Sequence, residues 1–237
     1  MDATTRAQAG RSAEKKTFYT RLSDFLRKFR VIIIAAFAAI VLAIAVIAIV
    51  SAINEGAANA SSARAEKLVD DYDAYLGESD QAKKAELEKA VLASADEIAS
   101  KWPRLFAAQR ARSIKADVFE SKEDWASAEK EWLAAVDAAP TSYLAPIALQ
   151  RAATAAEELG ASDRAVDCYK RLIAKYEGAT IGIPHAYFAL GRLAEGSKDY
   201  AAAMENYKKI VSTWPDDDWT KLATDRIIAL KSRGLAK

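Results

Sequence analysis

Alanine stands at positions 128, 165 and 203, and four residues after each comes a large aromatic, Trp132, Tyr169 and Tyr207. Intervals of 37 and 38 residues mark a repeat architecture rather than a single closed core. In "DWASAEKEWLAAVDAAP", Trp125, Ala128, Trp132 and Ala135 share one face of an α-helix, bulky side chains alternating with very small ones. Pro140 ends that helix, because it cannot donate to the helical ladder and restricts the residue before it. "DRAVDCYKRLIAKYEGA" repeats the spacing with Ala165, Tyr169 and Leu172. "DYAAAMENYKKIVSTWP" repeats it with Tyr200, Ala203, Tyr207, Ile210 and Pro215. Small residues on such a face let another helix come close, so the period predicts stacked helical units, each bearing on the next.

Each of these helices has an upstream companion. Before the third, "PHAYFALGRLAEG" places Tyr187, Leu190 and Gly191 on one helix, with Ala194 three residues further. A mid-helix glycine costs roughly 1 kcal/mol against alanine, which points to a facing backbone that must come close. This pattern resembles the tetratricopeptide repeat, with Trp, Leu-Gly and Tyr on a first helix A and Ala, Phe and Pro on a second helix B. The third copy matches at Tyr187, Leu190, Gly191, Ala203, Tyr207 and Pro215, and departs at Ala194, where Tyr is usual. The first matches at Ala116, Phe119, Ala128, Trp132 and Pro140, and departs at Arg112 and Lys115. The second keeps Leu149, Ala153, Ala165 and Tyr169 but ends in Glu177-Gly178 instead of Pro. A degenerate earlier copy is indicated by Ile98 to Pro103, which echoes Ile210 to Pro215 in its Ile-x-Ser-x-Trp-Pro core. The expected helix pairs are 104–120/124–138, 143–159/162–177 and 183–195/199–213. A helix B without a recognised partner is expected at 80–101, and a terminal capping helix at 217–233, where a solenoid's outer face meets water.

Val31 to Val50 is a run of 20 residues without a charged or polar side chain, long enough to span a ~30 Å hydrocarbon core as a helix. A cleaved signal peptide has a shorter apolar region, although Ala58-Asn59-Ala60 resembles a cleavage site. The retained anchor is the preferred reading. Residues 1–30 carry eight Lys/Arg and three acids, whereas no basic residue follows the span until Arg64. Basic flanks prefer the cytoplasmic side, so the N-terminus is expected inside and the repeats outside. The expected organisation is a basic cytoplasmic segment (1–30), a transmembrane helix contacting the bilayer (31–53), a helical connector with a degenerate first repeat (54–103), and repeats with a C-terminal capping helix (104–237). The fold class expected is all-α, a single N-terminal transmembrane helix followed by a tetratricopeptide-like helical-hairpin solenoid.

Two features of the anchor suggest contacts. Phe18, Leu22, Phe25 and Phe29 recur at helical spacing among Lys and Arg, which suits either an interfacial helix over 16–29 or a disordered basic tail. Ala35, Ala39 and Ala43 form a small-residue row through which two anchors can pack, so self-association stays open.

Beyond residue 53 there are 26 Lys/Arg and 30 Asp/Glu, so the repeat part is mildly acidic and does not resemble a nucleic-acid-binding surface. The single Cys168, beside Tyr169 on a helix B, reads as a small apolar packing residue. His185 is the only histidine and reads as a surface or groove residue; one His and one Cys do not make a structural zinc site. No phosphate loop or catalytic motif is present in the sequence, and "PDDDW" at 215–219 reads as a helix N-terminus. No cofactor, no metal and no enzymatic activity are expected.

The resemblance implies a binding groove lined by helix A, with the second, fifth, ninth and twelfth positions exposed. It places Arg110, Ser113, Asp117 and Glu120 there in the first repeat, and Ile147, Gln150, Thr154 and Glu157 in the second. In the third it places His185, Phe188, Arg192 and Glu195. The Lys/Asn pairs with which some family members clamp a C-terminal carboxylate are absent, and the mixture of apolar, acidic and Arg residues suits an extended or loosely structured polypeptide better than a fixed C-terminal tag. The layout also resembles the ancillary subunit of the Sec translocon, with one span and an extracytoplasmic repeat domain. That likeness implies translocon subunits, periplasmic chaperones or exported clients as partners. The repeat spacing also resembles that of envelope-assembly scaffolds, so a role in protein export or envelope biogenesis at the bacterial inner membrane is expected. A regulatory accessory subunit of a membrane or cell-wall enzyme is the alternative.

Overall fold

The computed structural model describes the backbone of residues 3–236 and the side chains of residues 19, 20 and 22–236. Phe18, at the head of the anticipated interfacial row, lies outside the described side chains. The described residues form two units, one up to Gly56 and one from Ala57 onward. Among them every regular element is an α-helix.

The first helix, α1 (Ala3–Gly77), does not stop where the apolar run ends. No proline interrupts "SAINEGAANASSARAEKLVDDYDAYL", and its many alanines favour the helix enough to carry it past Gly56. Within α1 the side chains from Val31 to Val50 are all exposed, and the helix contains one stretch long and apolar enough to cross a membrane.

In the second unit the end of α1 pairs with α2 (Gln81–Lys101). Ala65, Leu68 and Tyr75 bury themselves against Val91, Ala95 and Ile98, and then against Ala107, Ala111 and Val118 of the next helix. This is the missing partner of the lone helix B. Three hairpins follow: α3 (Phe106–Glu120) with α4 (Trp125–Ala138), α5 (Leu144–Glu158) with α6 (Ser162–Tyr176), and α7 (Ile183–Gly196) with α8 (Tyr200–Thr213). The closing helix is α9 (Asp218–Ser232). Expected and observed bounds agree within two residues.

The anticipated packing face is the core. Ala128, Ala165 and Ala203 have no solvent exposure, and Trp132, Tyr169 and Tyr207 are buried beside them. Cys168 joins the same core, where burial pushes its thiol up to about 11.

The turn from helix A to helix B is built the same way in each hairpin. Glu123, Gly160 and Lys198 adopt left-handed backbone, with φ of 58°, 68° and 64°. The next residue's N–H reaches back five residues, Asp124 to Phe119 O (2.9 Å), Ala161 to Ala156 O (2.8 Å) and Asp199 to Ala194 O (2.8 Å). This satisfies carbonyls that the end of a helix leaves open. Asp124 and Asp199 then cap α4 and α8 by accepting from Ser127 N (3.2 Å) and Ala202 N (3.0 Å). Asp217 caps α9 by accepting from Trp219 N (2.9 Å), which is the role read from the acid cluster at 215–219.

The departures of the first hairpin from the repeat pattern have a common cause. Arg112 and Lys115 of α3 both reach the buried carboxylate of Glu131 on α4, at 2.9 and 3.0 Å, and Lys115 also holds Asp96 of α2 at 2.6 Å. An ion-paired seam across three helices replaces the small-residue contact at this point. Burial pulls the Lys115 ammonium down, but its hydrogen bonds to Asp96 and Glu131 outweigh that and raise its pKa.

Candidate protein-binding face

Helices α3, α5 and α7 present their residues in register, so side chains 37 and 38 positions apart form rows across the three repeats. From the N-terminal end the rows are Phe106, Tyr143 and Ile181; Arg110, Ile147 and His185; Ser113, Gln150 and Phe188; Asp117, Thr154 and Arg192; and Glu120, Glu157 and Glu195. The last four rows contain all the residues that the sequence placed in the groove.

The glutamates close the row set from below, and they face inward. Each accepts a hydrogen bond from the aromatic of its own hairpin's helix B: Trp132 Nε1 donates to Glu120 (2.5 Å), Tyr169 OH to Glu157 (2.9 Å) and Tyr207 OH to Glu195 (2.7 Å). Each also holds an arginine from the following helix A position. Arg151 of α5 pairs with Glu120, Arg192 of α7 with Glu157, and Arg226 of α9 with Glu195. An aromatic, a carboxylate and the next guanidinium thus form a relay that recurs at the three junctions from α3 to α9. Burial and the adjacent glutamates raise the pKa of both tyrosines. Arg151 also lies 5.3 Å over the Trp132 ring and holds Asp117 at 2.9 Å.

The predicted groove residues therefore divide. Arg192, expected to grip a partner, is held by Glu157. Phe188, expected beside it as an apolar anchor, is half-buried, with its ring 5.4 Å from Tyr207 and 5.1 Å from Trp219. The capping helix α9 supplies Trp219 and covers the third repeat at that row. His185 lies under the same indole, 4.7 Å from Trp219 and 6.0 Å from Tyr169, and its Nδ1 is buried without a hydrogen-bond partner. Burial depresses its pKa. Ser113 and Thr154 turn their hydroxyls back onto Gln109 O (3.0 Å) and Gln150 O (3.2 Å) of their own helices. Gln150 packs over Gly182, where an added Cβ would stand 2.7 Å from its Oε1.

What stays open lies between α3 and the N-terminal half of α5. Ser113, Asp117 and Ile147 line a depression of about 270 Å³ together with Trp132, Leu144, Ala148 and Arg151. Asp117 is half-buried at its edge, where burial raises its carboxyl pKa and Arg151 opposes the rise. Ile147 is exposed, and Arg110 is half-exposed one row below Phe106. The glutamate relay was missed from sequence, although Glu120, Glu157 and Glu195 recur at the same 37 and 38 residue intervals as the alanines.

The stacked hairpins and their shared face define a helical-repeat scaffold of the protein-binding class. Residues 148–179 and 184–217 each match the tetratricopeptide repeat family. The chain is also 31% identical over 148 residues to a protein of Treponema pallidum (strain Nichols) named as a TPR repeat-containing protein. That similarity covers 62% of this chain and 61% of the relative, so the chain spans about three fifths of its length. Repeats of this family imply protein–protein interaction and are typically non-catalytic.

Proposed function

We propose that the protein is a non-enzymatic, membrane-anchored scaffold whose repeats bind polypeptides or chaperones on the extracytoplasmic side, in protein export or envelope biogenesis. The observation that carries the anchor is the uninterrupted exposure of Val31 to Val50 along α1, which leaves 20 apolar residues without a protein partner in the chain. Removing such a surface from water is favourable by about 25 cal/mol per Å², and a bilayer supplies the apolar surroundings. Eight basic residues in 1–30 favour a cytoplasmic N-terminus. The tetratricopeptide matches support the binding role.

The test joins topology to capture. Protease added to spheroplasts should digest the repeats and spare residues 1–30. Crosslinking in intact cells, followed by mild detergent extraction, should recover translocon subunits, chaperones or exported clients. Recovery of a single membrane or cell-wall enzyme would instead assign the accessory-subunit role. Full protection of the repeats in intact spheroplasts would overturn the orientation and the proposed export function.

A further inference from the structure

The N-terminal ends of α3, α5 and α7 differ from the rest of the repeat stack in three independent ways. The first is apolar exposure. Phe106, Tyr143 and Ile181 occupy equivalent positions in three successive repeats and are 38%, 72% and 96% exposed, and Ile147, one turn beyond Tyr143, is 49% exposed. The rings of Phe106 and Tyr143 are 5.7 Å apart, so they form one continuous apolar surface across the first two repeats. It leads into the depression lined by Leu144, Ile147 and Arg151. Elsewhere on this stack the large aromatics of the repeats, Trp132, Tyr169 and Tyr207, are buried.

The second is charge. Among the described residues, the other arginines of α3, α5, α6, α7 and α9 all stand in ion pairs: Arg112, Arg151, Arg164, Arg171, Arg192 and Arg226. Arg110 of α3 stands in no such pair, and neither does Arg104, two residues before that helix. They flank Phe106 on both sides. The first two turns of α3 and α5, "FAAQRARS" and "LAPIALQR", contain no acid. The carboxylates of the same face lie at the opposite ends of the helices, and Arg151 already occupies Asp117 and Glu120.

The third is capping. α4, α8 and α9 each begin with an aspartate that accepts from the first turn. α3, α5 and α7 begin at Leu105, Tyr143 and Gly182 with neither a side-chain cap nor an acid in the first turn, whereas α6, also without a side-chain cap at Ala161, carries Asp163 there. The first turns of α3, α5 and α7 keep the partial positive charge that a carboxylate favours.

From these we infer that the edge formed by Phe106, Tyr143 and Ile147, with Arg104 and Arg110, docks an extended segment of a partner polypeptide in which large apolar side chains stand next to carboxylates. The apolar side chains cover the Phe106–Tyr143 surface and Ile147. The carboxylates meet the two free guanidiniums and the uncapped helix ends. This deepens the scaffold reading and rests on the repeats being its protein-binding part, but it moves the contact from the Phe188–Arg192 rows to the N-terminal edge.

The experiment uses the full chain in nanodiscs and fluorescein-labelled twelve-residue peptides in which Phe and Leu alternate with Asp and Glu, with Asn and Gln, or with Lys. Fluorescence anisotropy should show the acidic peptide binding at least tenfold more tightly than the neutral one and the Lys peptide not binding. Tyr143→Ser with Ile147→Ser should weaken the acidic peptide at least tenfold. Arg104→Glu with Arg110→Glu should remove or reverse the charge preference. All these positions are at least partly exposed, and unchanged helicity and melting of each variant by circular dichroism establishes that it folds; Arg104→Glu alone, at an exposed position, serves should the double variant not fold. Equal binding of acidic and Lys peptides, absence of binding to all three, or native affinity in the folded variants would overturn the inference. Concentration-dependent self-association lost in Tyr143→Ser would also overturn it, by assigning the edge to a second copy of the chain. Orientation in the membrane does not enter the measurement, so a failed topology test and a failed peptide test are separable.

Discussion

A Cβ placed on Gly191 of α7 would lie 2.4 Å from Cε1 and 2.7 Å from Cζ of Tyr207 on α8, so the two helices meet with an aromatic ring pressed up to the glycine. The sequence argued for a close approach at this glycine and named a facing backbone as its cause; the neighbour is a side chain. Tyr207 has nowhere to go, because it is fully buried and its hydroxyl is held by Glu195 at 2.7 Å. Gly191→Ala gains up to about 1 kcal/mol of helix propensity but overpacks the ring, at about 1–3 kcal/mol. A net loss is expected, read as a lower melting temperature. In Gly191→Ala combined with Tyr207→Leu the loss should be less than the sum of the single changes, because the clashing atoms have gone. Strict additivity in that cycle would show that the two residues do not bear on one another.

The left-handed residues of the A-to-B turns give a prediction of the opposite sign. Gly160 adopts φ 68° without cost, whereas Glu123 and Lys198 hold φ of 58° and 64° with a side chain attached. An L-residue in this region is disfavoured by about 1–2 kcal/mol, and glycine is not, although it loses more backbone entropy on folding. Glu123→Gly and Lys198→Gly should each raise the melting temperature by about 2–4 °C for every kcal/mol gained. Gly160→Ala should lower it, and by strain alone, since nothing lies within 4 Å of the added Cβ. A stabilised Gly160→Ala would refute the turn geometry.

The hairpins were legible because their contacts are local and periodic. Ala128, Ala165 and Ala203 with their aromatics lie on single helices, and a spacing of three and four on one helix can be read directly. The relay was not legible because it spans junctions. Glu157 meets an arginine 35 residues away in the next repeat, and Glu120 and Glu195 meet theirs at a separation of 31. That unequal spacing hides the arginines, while the glutamates alone look like ordinary exposed helix residues. The pairing of α1 with α2 was hidden for another reason. Ala65, Leu68 and Tyr75 belong to the same helix as the apolar run, so the helical signal shows no break at the point where its partner changes. At the third column of the groove, where α9 supplies Trp219 over His185 and Phe188, the sequence pattern of one helix cannot show the contact from another element.

Phe188 and Ile147 sit on the same face but should respond differently to truncation. Phe188→Ala removes a ring wedged between Tyr207 and Trp219, and a loss of about 2–3 kcal/mol is expected, below the 3–5 kcal/mol of a fully buried phenylalanine because Phe188 is only half-buried. Hydrogen exchange should localise the loss to α7–α9. Ile147→Ser, on the exposed side of α5, should change stability by no more than about 0.5 kcal/mol. Equal and small effects at both positions would place Phe188 on the open surface and return it to the binding groove.

Acid should loosen the capping helix in two separable steps, because two groups at the α7–α9 seam have depressed pKa values. His185 packs against Trp219 of α9 and Tyr169 of α6, with Glu157 and Arg192 as the charges that act on its titration. Burial lowers its pKa, Glu157 opposes this and Arg192 adds to it. The folded state therefore prefers the neutral ring, and this contribution is fully present above the unfolded value of about 6.5 and is lost as pH falls through the depressed folded value. Glu195 behaves alike at lower pH. Burial alone would raise its pKa, but hydrogen bonds from Arg226 Nε (2.9 Å) and the Tyr207 hydroxyl outweigh it and hold the carboxyl low. Its contribution stands above the unfolded value of about 4.3 and disappears as pH falls through the folded value. Melting curves from pH 7.5 to 3 should thus fall first below about pH 6.5 and again below about pH 4.3. His185→Gln should remove the first step and keep the second, and Glu195→Gln should do the reverse. Persistence of the upper step in a folded His185→Gln variant would detach it from this seam, since burial pushes the nearby tyrosines upward, away from the range scanned.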